Sequence, residues 1–434
     1  MGLSNALFAS VTGLDTSSTA ISVIGDNIAN SNTPGFKERR AVFADALGQS
    51  LNLIGGFSQT GAGAKVASIT QVFSQGTFET TGRSTDLAIE GNGFFVLDGP
   101  TGRAFTRVGA FNFNDEGLLM TPLQERVQGF GIDSTTLQPT GGLGDIQLVT
   151  SQLDPQDTSR MELSLNLNSN SLTEEPLVGP FDPSDPSQSS HFQSVVTVFD
   201  SLGNGHPATI YFTQTGPGAW DWNMALPPAD TSTPPATAGD PVVVQGSGTL
   251  GFDSDGVLQA VTGTPVTFEF SGGATSSQAV DLDFGGLAGV GSGDFTTQYA
   301  DRSSTINAAR QDGFASGSLQ SLSIGIDGLV VGRFSNGESR PLAQLALAIF
   351  PNTEGLAATG NNNFIESRQS GQPLVGAAQS GRFGAIRSES LEQSNVDLSA
   401  QFIRLIINQR AFQANSRTVS VANELLANVV QLGQ

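Results

Sequence analysis

The sequence contains no cysteine and only two histidines among its 434 residues. Without cysteine the chain can form no disulfide, no thiolate zinc site, no iron–sulfur cluster and no cysteine nucleophile. His191 and His206 lie in a turn-rich stretch, and we expect ordinary surface residues there and not metal ligands. We therefore predict no metal site and no bound cofactor.

Positive charge is also scarce, with 19 basic residues against 40 acidic ones and a net charge of -21. Such a chain is repelled by nucleic acid and by anionic membrane surfaces. Its sequence has no apolar run near the roughly 18 residues of a membrane span, and its start has no basic residues ahead of an apolar stretch, as a secretory signal would. We expect no nucleic-acid partner, no membrane insertion and, if the protein is exported, a route without a cleaved signal peptide.

Common catalytic motifs do not occur in the sequence. We find no Gly-x-x-x-x-Gly-Lys phosphate loop, no His-Glu-x-x-His zinc motif and no Gly-x-Ser-x-Gly nucleophile elbow. A glycosidase-like pair of carboxylates stays open, because sequence does not show which acidic residues lie together. We predict that the protein is not an enzyme and has no catalytic residues.

Residues 1–35 contain a predicted helix. Residues 3–29 hold no proline, and apolar residues recur in them every seven positions. This stripe consists of Leu7, Leu14, Ile21 and Ile28. The turn formers of residues 30–35, with Pro34 among them, then end the helix.

Residues 395–434 contain a second predicted helix, from about Val396 to Leu432. Its stripe consists of Leu398, Leu405, Phe412, Val419 and Leu426. A repeat of seven needs a partner helix, and packing within one chain or packing in an assembly would both satisfy it. The position of both helices at the ends, and their charge-poor polar faces, favour an assembly. We therefore predict that both stripes are subunit-interface surfaces.

The sequence between the helices has β character. The runs 86–89 and 94–97 flank Gly-Asn-Gly at 91–93, which predicts a β-hairpin. An apolar residue, then Asp or Asn, then Gly and an aliphatic residue recur at 113–118, 252–257 and 326–329. We interpret these units as β-turns, because Asp and Asn tolerate turns and Gly takes positive φ. They lack the spaced carboxylates of a calcium loop.

Residues 151–300 differ in composition from the rest of the chain. They hold 17 acidic residues and one basic residue, Arg160, which gives a net charge of -16 (1 minus 17), and also both tryptophans. Short predicted strands indicate an inserted all-β domain. The fold class is therefore α+β. The predicted domains are a helical one (1–35 with 395–434), a mainly β one with an extended linker (36–150 with 301–394) and an acidic all-β one (151–300).

Three motifs, in this order, resemble those of the flagellar rod and hook protein family. Residues 25–37, Gly-Asp-Asn-Ile-Ala-Asn-Ser-Asn-Thr-Pro-Gly-Phe-Lys, resemble its N-terminal signature. Residues 85–96 are similar to its central motif, and residues 394–398 with 409–416 resemble its closing signature. The motif residues are Asn27, Asn30, Asn32, Thr33, Pro34, Gly35, Phe36, Gln409, Arg410, Phe412 and Asn415.

The resemblance implies a structural subunit that polymerises with copies of itself into a helical tube. The terminal helices would form the inner tube around the export channel, and the β domains would stack outwards. The subunit would be exported unfolded by the flagellar type III apparatus and fold at the tip beneath a hook cap. Its partners would be other copies, the rod, the hook cap, the hook–filament junction proteins and the export apparatus, in the extracellular flagellum.

The large β insert favours a hook subunit over a rod subunit, because rod proteins of this type generally lack one. Residues 198–204 also look like the opening of the hook β domain. A hook would act as a flexible universal joint that transmits motor torque from rod to filament. The alternatives are a distal rod or hook–filament junction subunit, and an extracellular carbohydrate-binding protein with a cleft around Trp220 and Trp222. We expect those tryptophans instead to be buried anchors of a β core.

Overall fold

The structure, a computed structural model, places two long helices at the ends of the chain and β-strands between them. This arrangement confirms the predicted α+β fold class. The described residues are 2–53, 56–100, 102–133, 136, 139–148, 152–174, 177, 179–234, 239–285, 296–300 and 302–432.

The helices and strands are as follows. The helices are α1 (Gly2–Ala29), α2 (Ser171–Glu174) and α3 (Leu398–Leu432), with a 3-10 turn at Thr353–Gly355. The first strands are β1 (Arg39–Leu53), β2 (Gly56–Gln71), β3 (Phe78–Thr80), β4 (Leu87–Glu90), β5 (Phe94–Gly99), β6 (Gly102–Thr106), β7 (Asn112–Phe113), β8 (Leu119–Met120), β9 (Arg126–Ile132) and β10 (Pro139–Asp145). The next are β11 (Gln152–Leu153), β12 (Arg160–Asn168), β13 (Phe192–Phe199), β14 (Gly205–Gly216), β15 (Ala219–Leu226), β16 (Val243–Phe252), β17 (Leu258–Val261), β18 (Val266–Phe268), β19 (Gln278–Asp283), β20 (Thr297–Tyr299) and β21 (Thr305–Gln311). The last are β22 (Gly317–Ile324), β23 (Leu329–Phe334), β24 (Ser339–Ile349), β25 (Ala357–Gly360), β26 (Asn363–Ile365), β27 (Leu374–Ala377), β28 (Ala385–Ser388) and β29 (Ser390–Glu392).

The chain divides into two compact units. Unit 1 consists of Met1–Val149, Ser321–Arg333 and Ser339–Gln434. Unit 2 consists of Thr150–Gln320 and Phe334–Glu338. The finer division into three domains stays a prediction.

Unit 1 contains a sheet in which β24, β9, β5, β6, β26 and β25 are neighbours in that order. Within the predicted strand 94–97, which is the start of β5, all four residues are buried. Phe95 and Leu97 belong to one core cluster, and Phe94 and Val96 belong to another, because alternate residues of a strand point to opposite faces. A strand covered on both faces needs apolar side chains throughout, which explains the unbroken apolar run.

The hairpin predicted across residues 91–93 is wrong. Both strands are located where the sequence predicts them, but β4 pairs with β28, whereas β5 pairs with β6, β9 and β24. Gly91 and Gly93 have φ values of 96° and 141°, which suit glycine and let the chain turn between two sheets. The local pattern cannot show this, because β24 and β28 come from distant sequence.

The three predicted turn units do form turns. They join β7 to β8, β16 to β17 and β22 to β23. Gly117, Gly256 and Gly328 have φ values of 75°, 77° and 79°, as expected for glycines in the left-handed region. In the second unit an oxygen of Asp253 accepts the N–H of Val257 at 2.9 Å. The acidic residue therefore shapes the turn itself.

Unit 2 contains two sheets that share one core. Strands β13 to β17 form the first in sequence order, and β18, β19, β12 and β20, with β21 beside β12, form the second. Trp220 and Trp222 of β15 are fully buried in the cluster between them. The interpretation as core anchors is therefore confirmed, and a carbohydrate cleft built on these two rings is excluded.

His206 is buried, so the prediction of a surface histidine is wrong. Its ring stacks on Phe270 with 4.5 Å between centroids. Its Nε2 lies 3.2 Å from Asp200 and its Nδ1 lies 3.3 Å from Asp230, and His191 is half-buried. Among the described residues no group of three or more His, Asp or Glu could hold a metal ion. A turn-rich sequence hides such burial, because residues that cover the ring, such as Phe270, are distant in sequence.

Acid should destabilise unit 2 through Asp200. Burial raises the pKa of this carboxyl, but hydrogen bonds from Asn204, His206 and Leu202 outweigh that effect and hold the pKa below its usual value. A carboxyl with a lowered folded-state pKa stabilises the fold above its unfolded pKa of about 4, and this contribution is lost as the pH falls through the lowered value.

We therefore expect Asp200→Asn to lower the free energy of unfolding at pH 7 by about 1–3 kcal/mol and to flatten its decline below about pH 4. Tryptophan fluorescence during urea unfolding measures this, because both tryptophans lie in the unit 2 core. The exposed Asp255→Asn is the control. An unchanged acid dependence in Asp200→Asn would contradict the assignment.

Among the described helices, α1 is long and apolar enough to cross a membrane. Its segment Ala6–Ala29 has 24 residues and a mean hydropathy of 1.2, contrary to the expectation that no segment comes near a span. A core helix passes the same test, and α1 packs on α3, β1 and β2. The apolar residues of α1 therefore pack against other elements of the same chain.

Candidate functional site: terminal helices and the buried junction

Two lines of residues, each with a spacing of seven, run along the side of α3 that is nearest to α1, and the first of them is only partly buried. Within the predicted stripe, Leu405 and Val419 are half-buried, whereas Leu398, Phe412 and Leu426 are exposed. The second inward line consists of Gln401, Asn408, Asn415 and Ala422. Sequence reasoning missed the second line because three of its members are polar, although its spacing of seven was a usable signal.

The inward side of α1 consists mainly of small and polar residues. The predicted Leu7, Leu14, Ile21 and Ile28 are all half-buried. The fully buried residues are Ser10, Thr16, Ser17, Ala20, Ile24 and Asn27. The Thr16 hydroxyl donates to the carbonyl of Thr12 at 3.0 Å, so the helix itself satisfies this buried group. Small side chains let α3 and the β1–β2 hairpin approach α1 closely.

Two glycines mark these close approaches. A Cβ at Gly13 of α1 would lie 2.6 Å from the amide nitrogen of Asn415 in α3. A Cβ at Gly63 of β2 would lie 2.0 Å from the hydroxyl of Thr12 and 3.1 Å from the Cα of Ala9. The next residue, Ala64, donates its N–H to the same hydroxyl at 3.3 Å. The β1–β2 hairpin therefore packs directly against the backbone of α1 at this point.

Gly63→Ala should loosen the hairpin from α1. Gly63 has a φ of 96°, which costs a side chain about 1–2 kcal/mol, and the clash with Thr12 adds to that cost. Gly102→Ala is a matched control, because Gly102 has a φ of 100° with open space around its Cβ position. Hydrogen exchange of α1 in the full chain should rise at least tenfold in Gly63→Ala and stay unchanged in Gly102→Ala. Equal hydrogen-exchange rates of α1 in both variants would contradict the close packing of the hairpin on α1.

A buried ionic cluster lies where both helices meet the β body. We call this region the junction; it comprises residues 25–39, 72–76, Arg107 and residues 389–404. One oxygen of Glu392 accepts from Lys37 Nζ at 2.6 Å, and the other lies 3.4 Å from an Arg107 nitrogen. All three side chains are almost completely buried. Two cations and one anion leave this cluster with a net charge of +1.

Backbone groups supply the other contacts of the cluster. Lys37 Nζ donates to the carbonyl of Ser74 at 2.8 Å, and the N–H of Gly76 donates to Glu392 at 2.9 Å. Arg107 donates to the carbonyl of Gly91 at 2.8 Å. Burial lowers the pKa of Lys37 and of Arg107, and the charge of Glu392 opposes that shift. The single carboxylate thus compensates the two desolvated cations only in part, and it links segments that are distant in sequence.

The N-terminal motif folds into the turn that leads from α1 to β1. Asn27 closes it with two hydrogen bonds to the backbone of Arg39, at 2.8 and 2.9 Å. Gly35 has a φ of 70° and donates its N–H to the carbonyl of Glu392 at 2.7 Å. A Cβ at Gly35 would meet Val108 at 2.8 Å. Glycine is therefore required at Gly35 by both conformation and space.

The remaining motif residues support the same turn. Asn30 donates to the carbonyl of Asp26 at 2.9 Å and accepts from the Thr33 hydroxyl at 3.2 Å. The carbonyl of Pro34 accepts from Asn362, and Phe36 is buried, whereas Asn32 is exposed.

The C-terminal segment enters α3 through the junction. Asn395 accepts the N–H of Glu38 at 2.7 Å and donates to the carbonyl of Val72 at 2.8 Å. Asp397 caps the helix by accepting the N–H groups of Ser399 and Ala400. One end of α3 is therefore fixed to the strands that follow α1.

Comparison with known proteins points to one family. The Flagella basal body rod protein family matches residues 7–37, the Flagellar hook protein FlgE/F/G D1 domain 88–163, the Flagellar basal body protein FlaE D2 domain 166–314 and the Flagellar basal body rod FlgEFG protein C-terminal family 387–432. The chain is 35% identical to the flagellar hook protein FlgE of Salmonella typhimurium, over 97% of this chain and 98% of that protein. The chain belongs to the flagellar hook protein family.

Other relatives agree with this assignment. Flagellar hook protein FlgE of Borreliella burgdorferi is 32% identical over 98% of this chain and 99% of that protein. The crystal structure of Helicobacter pylori flagellar hook protein FlgE2 is similar in fold, with a TM-score of 0.54, 14% identity, and coverage of 73% of this chain and all of that one. The hook-family match includes the β insert, so neither the rod alternative nor the carbohydrate-binding alternative is favoured.

This member of the hook family also exposes an apolar face on α3. We call it the outer face; it consists of Phe402, Ile403, Ile406 and Ile407, which are 49–60% exposed. The motif residues Gln409, Arg410 and Phe412 are exposed as well, whereas Asn415 faces Gly13. Four large apolar side chains exposed close together on one helix indicate a surface that another helix or chain covers.

Proposed function

We propose that this hook-family chain polymerises with copies of itself into a flexible tube that transmits torque from the flagellar rod to the filament. The family is structural, and no catalytic role is proposed. In this proposal α1 and α3 form the inner tube, and residues 151–300 form the outermost β domain. Rod, cap and junction proteins would be its further partners at the ends of the tube.

The outer face of α3 carries this proposal. Within the chain α3 packs on α1 with one side only, and the outer face stays in solvent. Burying one Leu or Ile side chain is worth about 1.5–3 kcal/mol, so four per subunit can hold neighbouring helices together. The predicted interface residues Leu398, Phe412 and Leu426 extend the exposed surface along the same helix.

Export and flexibility complete the proposal. A subunit exported unfolded through the type III apparatus needs no cleaved signal. Because the chain has no cysteine, it cannot form a wrong disulfide while it is unfolded. The net charge of -16 in residues 151–300 supports an exposed, hydrated outer layer. Polar and water-mediated contacts between such domains allow small shifts during bending.

Electron microscopy of the full chain tests the proposal. After salt-induced assembly we expect curved tubes from the full chain, and none from a variant that lacks residues 1–35 and 395–434. Straight tubes would favour a rod-like subunit. Monomers under every condition, also with preformed hook fragments as nuclei, would contradict the proposal.

A further inference from the structure

A pocket in unit 1 stands out for its charge. It has a volume of about 330 Å³ and lies next to the junction. Its apolar lining includes Phe73, Phe94 and Phe350, and its charged lining is Arg107 and Arg382. Among the residues that the structure describes, no Asp or Glu lines it. This is unusual in a chain with 40 acidic and only 19 basic residues.

The positive charge at this pocket is only partly neutralised by the residues that the structure describes. Arg107 belongs to the buried cluster with a net charge of +1, and its Nε has no hydrogen-bond partner in the described part of the chain. Arg382 is exposed, and no described carboxylate lies within ion-pair distance of it. A desolvated cation without full compensation is costly, so an incoming carboxylate would gain more here than at an ordinary surface arginine.

We propose that this pocket, which we call the arginine pocket, receives an acidic and partly apolar segment from unit 2 of a second copy of the chain. A carboxylate would pair with Arg382 at the rim and lie within the field of Arg107, while an apolar side chain would contact the phenylalanine rings. The inference rests on the proposed polymerisation, because the polymer is what brings a second copy within reach.

Charge complementarity selects this occupant. Residues 151–300 hold 17 acidic residues and only one basic residue. In particular, the segment 180–186 presents the exposed carboxylates of Asp182 and Asp185 beside a half-buried Phe181. Hydrogen bonds from Ser184 lower the pKa of Asp182, so that carboxylate stays charged in mildly acidic solution.

Photo-crosslinking in the polymer tests the inference directly. The chain lacks cysteine, so Gln372→Cys at the exposed pocket rim can carry a single benzophenone–maleimide label. Chains that carry the benzophenone label and have natural nitrogen isotopes are co-assembled with benzophenone-free chains grown in ¹⁵N medium. The tubes are irradiated and digested, and the crosslinked peptides are identified by mass spectrometry. We expect crosslinks from the label to ¹⁵N peptides of residues 151–300. Crosslinks only to unit 1 peptides, or only within one chain, would overturn the inference.

A charge variant tests it without a label. Arg382→Gln should raise the critical concentration for assembly about twofold to fivefold, the effect of one partly exposed ion pair. Arg368→Gln, an equal change at an exposed arginine outside the pocket, should leave it unchanged. Equal critical concentrations for Arg382→Gln and the unmodified chain would also overturn the inference. If the unmodified chain forms no tubes at all, the proposed function fails first, whereas normal tubes without the expected crosslink overturn the arginine pocket alone.

Discussion

Ile407→Asp should abolish tube formation while leaving the chain folded. Ile407 is 60% exposed on the outer face of α3, so aspartate is tolerated in the free subunit. In the tube the same position would bury a charge without a partner, which costs several kcal/mol, and would lose about 1.5–3 kcal/mol of apolar burial. We expect the critical concentration to rise more than about 100-fold, measured by sedimentation and electron microscopy.

Two comparisons make this result specific. Val195→Asp introduces the same charge at a residue that is 62% exposed in β13 of unit 2, and it should still form tubes. Leu405→Asp and Phe412→Asp should also block assembly, but Leu405 is half-buried, so its variant should in addition loosen α3 from α1. Tryptophan fluorescence should stay native in all four variants. Normal tubes from Ile407→Asp would remove the main support for assembly through the outer face.

Glu392→Gln should destabilise unit 1 by about 3–5 kcal/mol, because it leaves Lys37 and Arg107 buried without a counter-charge. The cluster then carries a net charge of +2. Lys37→Met should cost less, because it brings the net charge from +1 to zero and keeps the pair of Glu392 and Arg107. The order of the two effects separates an electrostatic role of Glu392 from simple packing.

Thermal unfolding and hydrogen exchange of β3, β28 and β29 measure this effect. Glu90→Gln is the matched control, because Glu90 is exposed at the end of β4, and it should change the free energy of unfolding by less than about 0.5 kcal/mol. The tryptophan signal reports unit 2 in the same samples. A larger decrease in the free energy of unfolding of unit 1 in Lys37→Met than in Glu392→Gln would contradict the assigned role of the carboxylate.

The elements whose signals are local can be predicted from the sequence alone. Apolar repeats of seven located α1 and α3 within a few residues, because a helix carries its own periodicity. Gly117, Gly256 and Gly328 located three turns, because positive φ is a property of a single residue. The apolar run at 94–97 located a buried strand, and the motifs around Asn27 and Asn415 identified the family.

Which of these elements contact one another depends on the three-dimensional fold. The strand partners of β4 and β5, the burial of His206, and the cluster of Lys37, Arg107 and Glu392 all join residues far apart in sequence. The polar second line of α3 and the small residues of α1 were missed for a related reason. Polar and small side chains become interface residues only where another segment approaches closely enough to satisfy their hydrogen bonds, and that distance is a property of the fold and not of the sequence pattern.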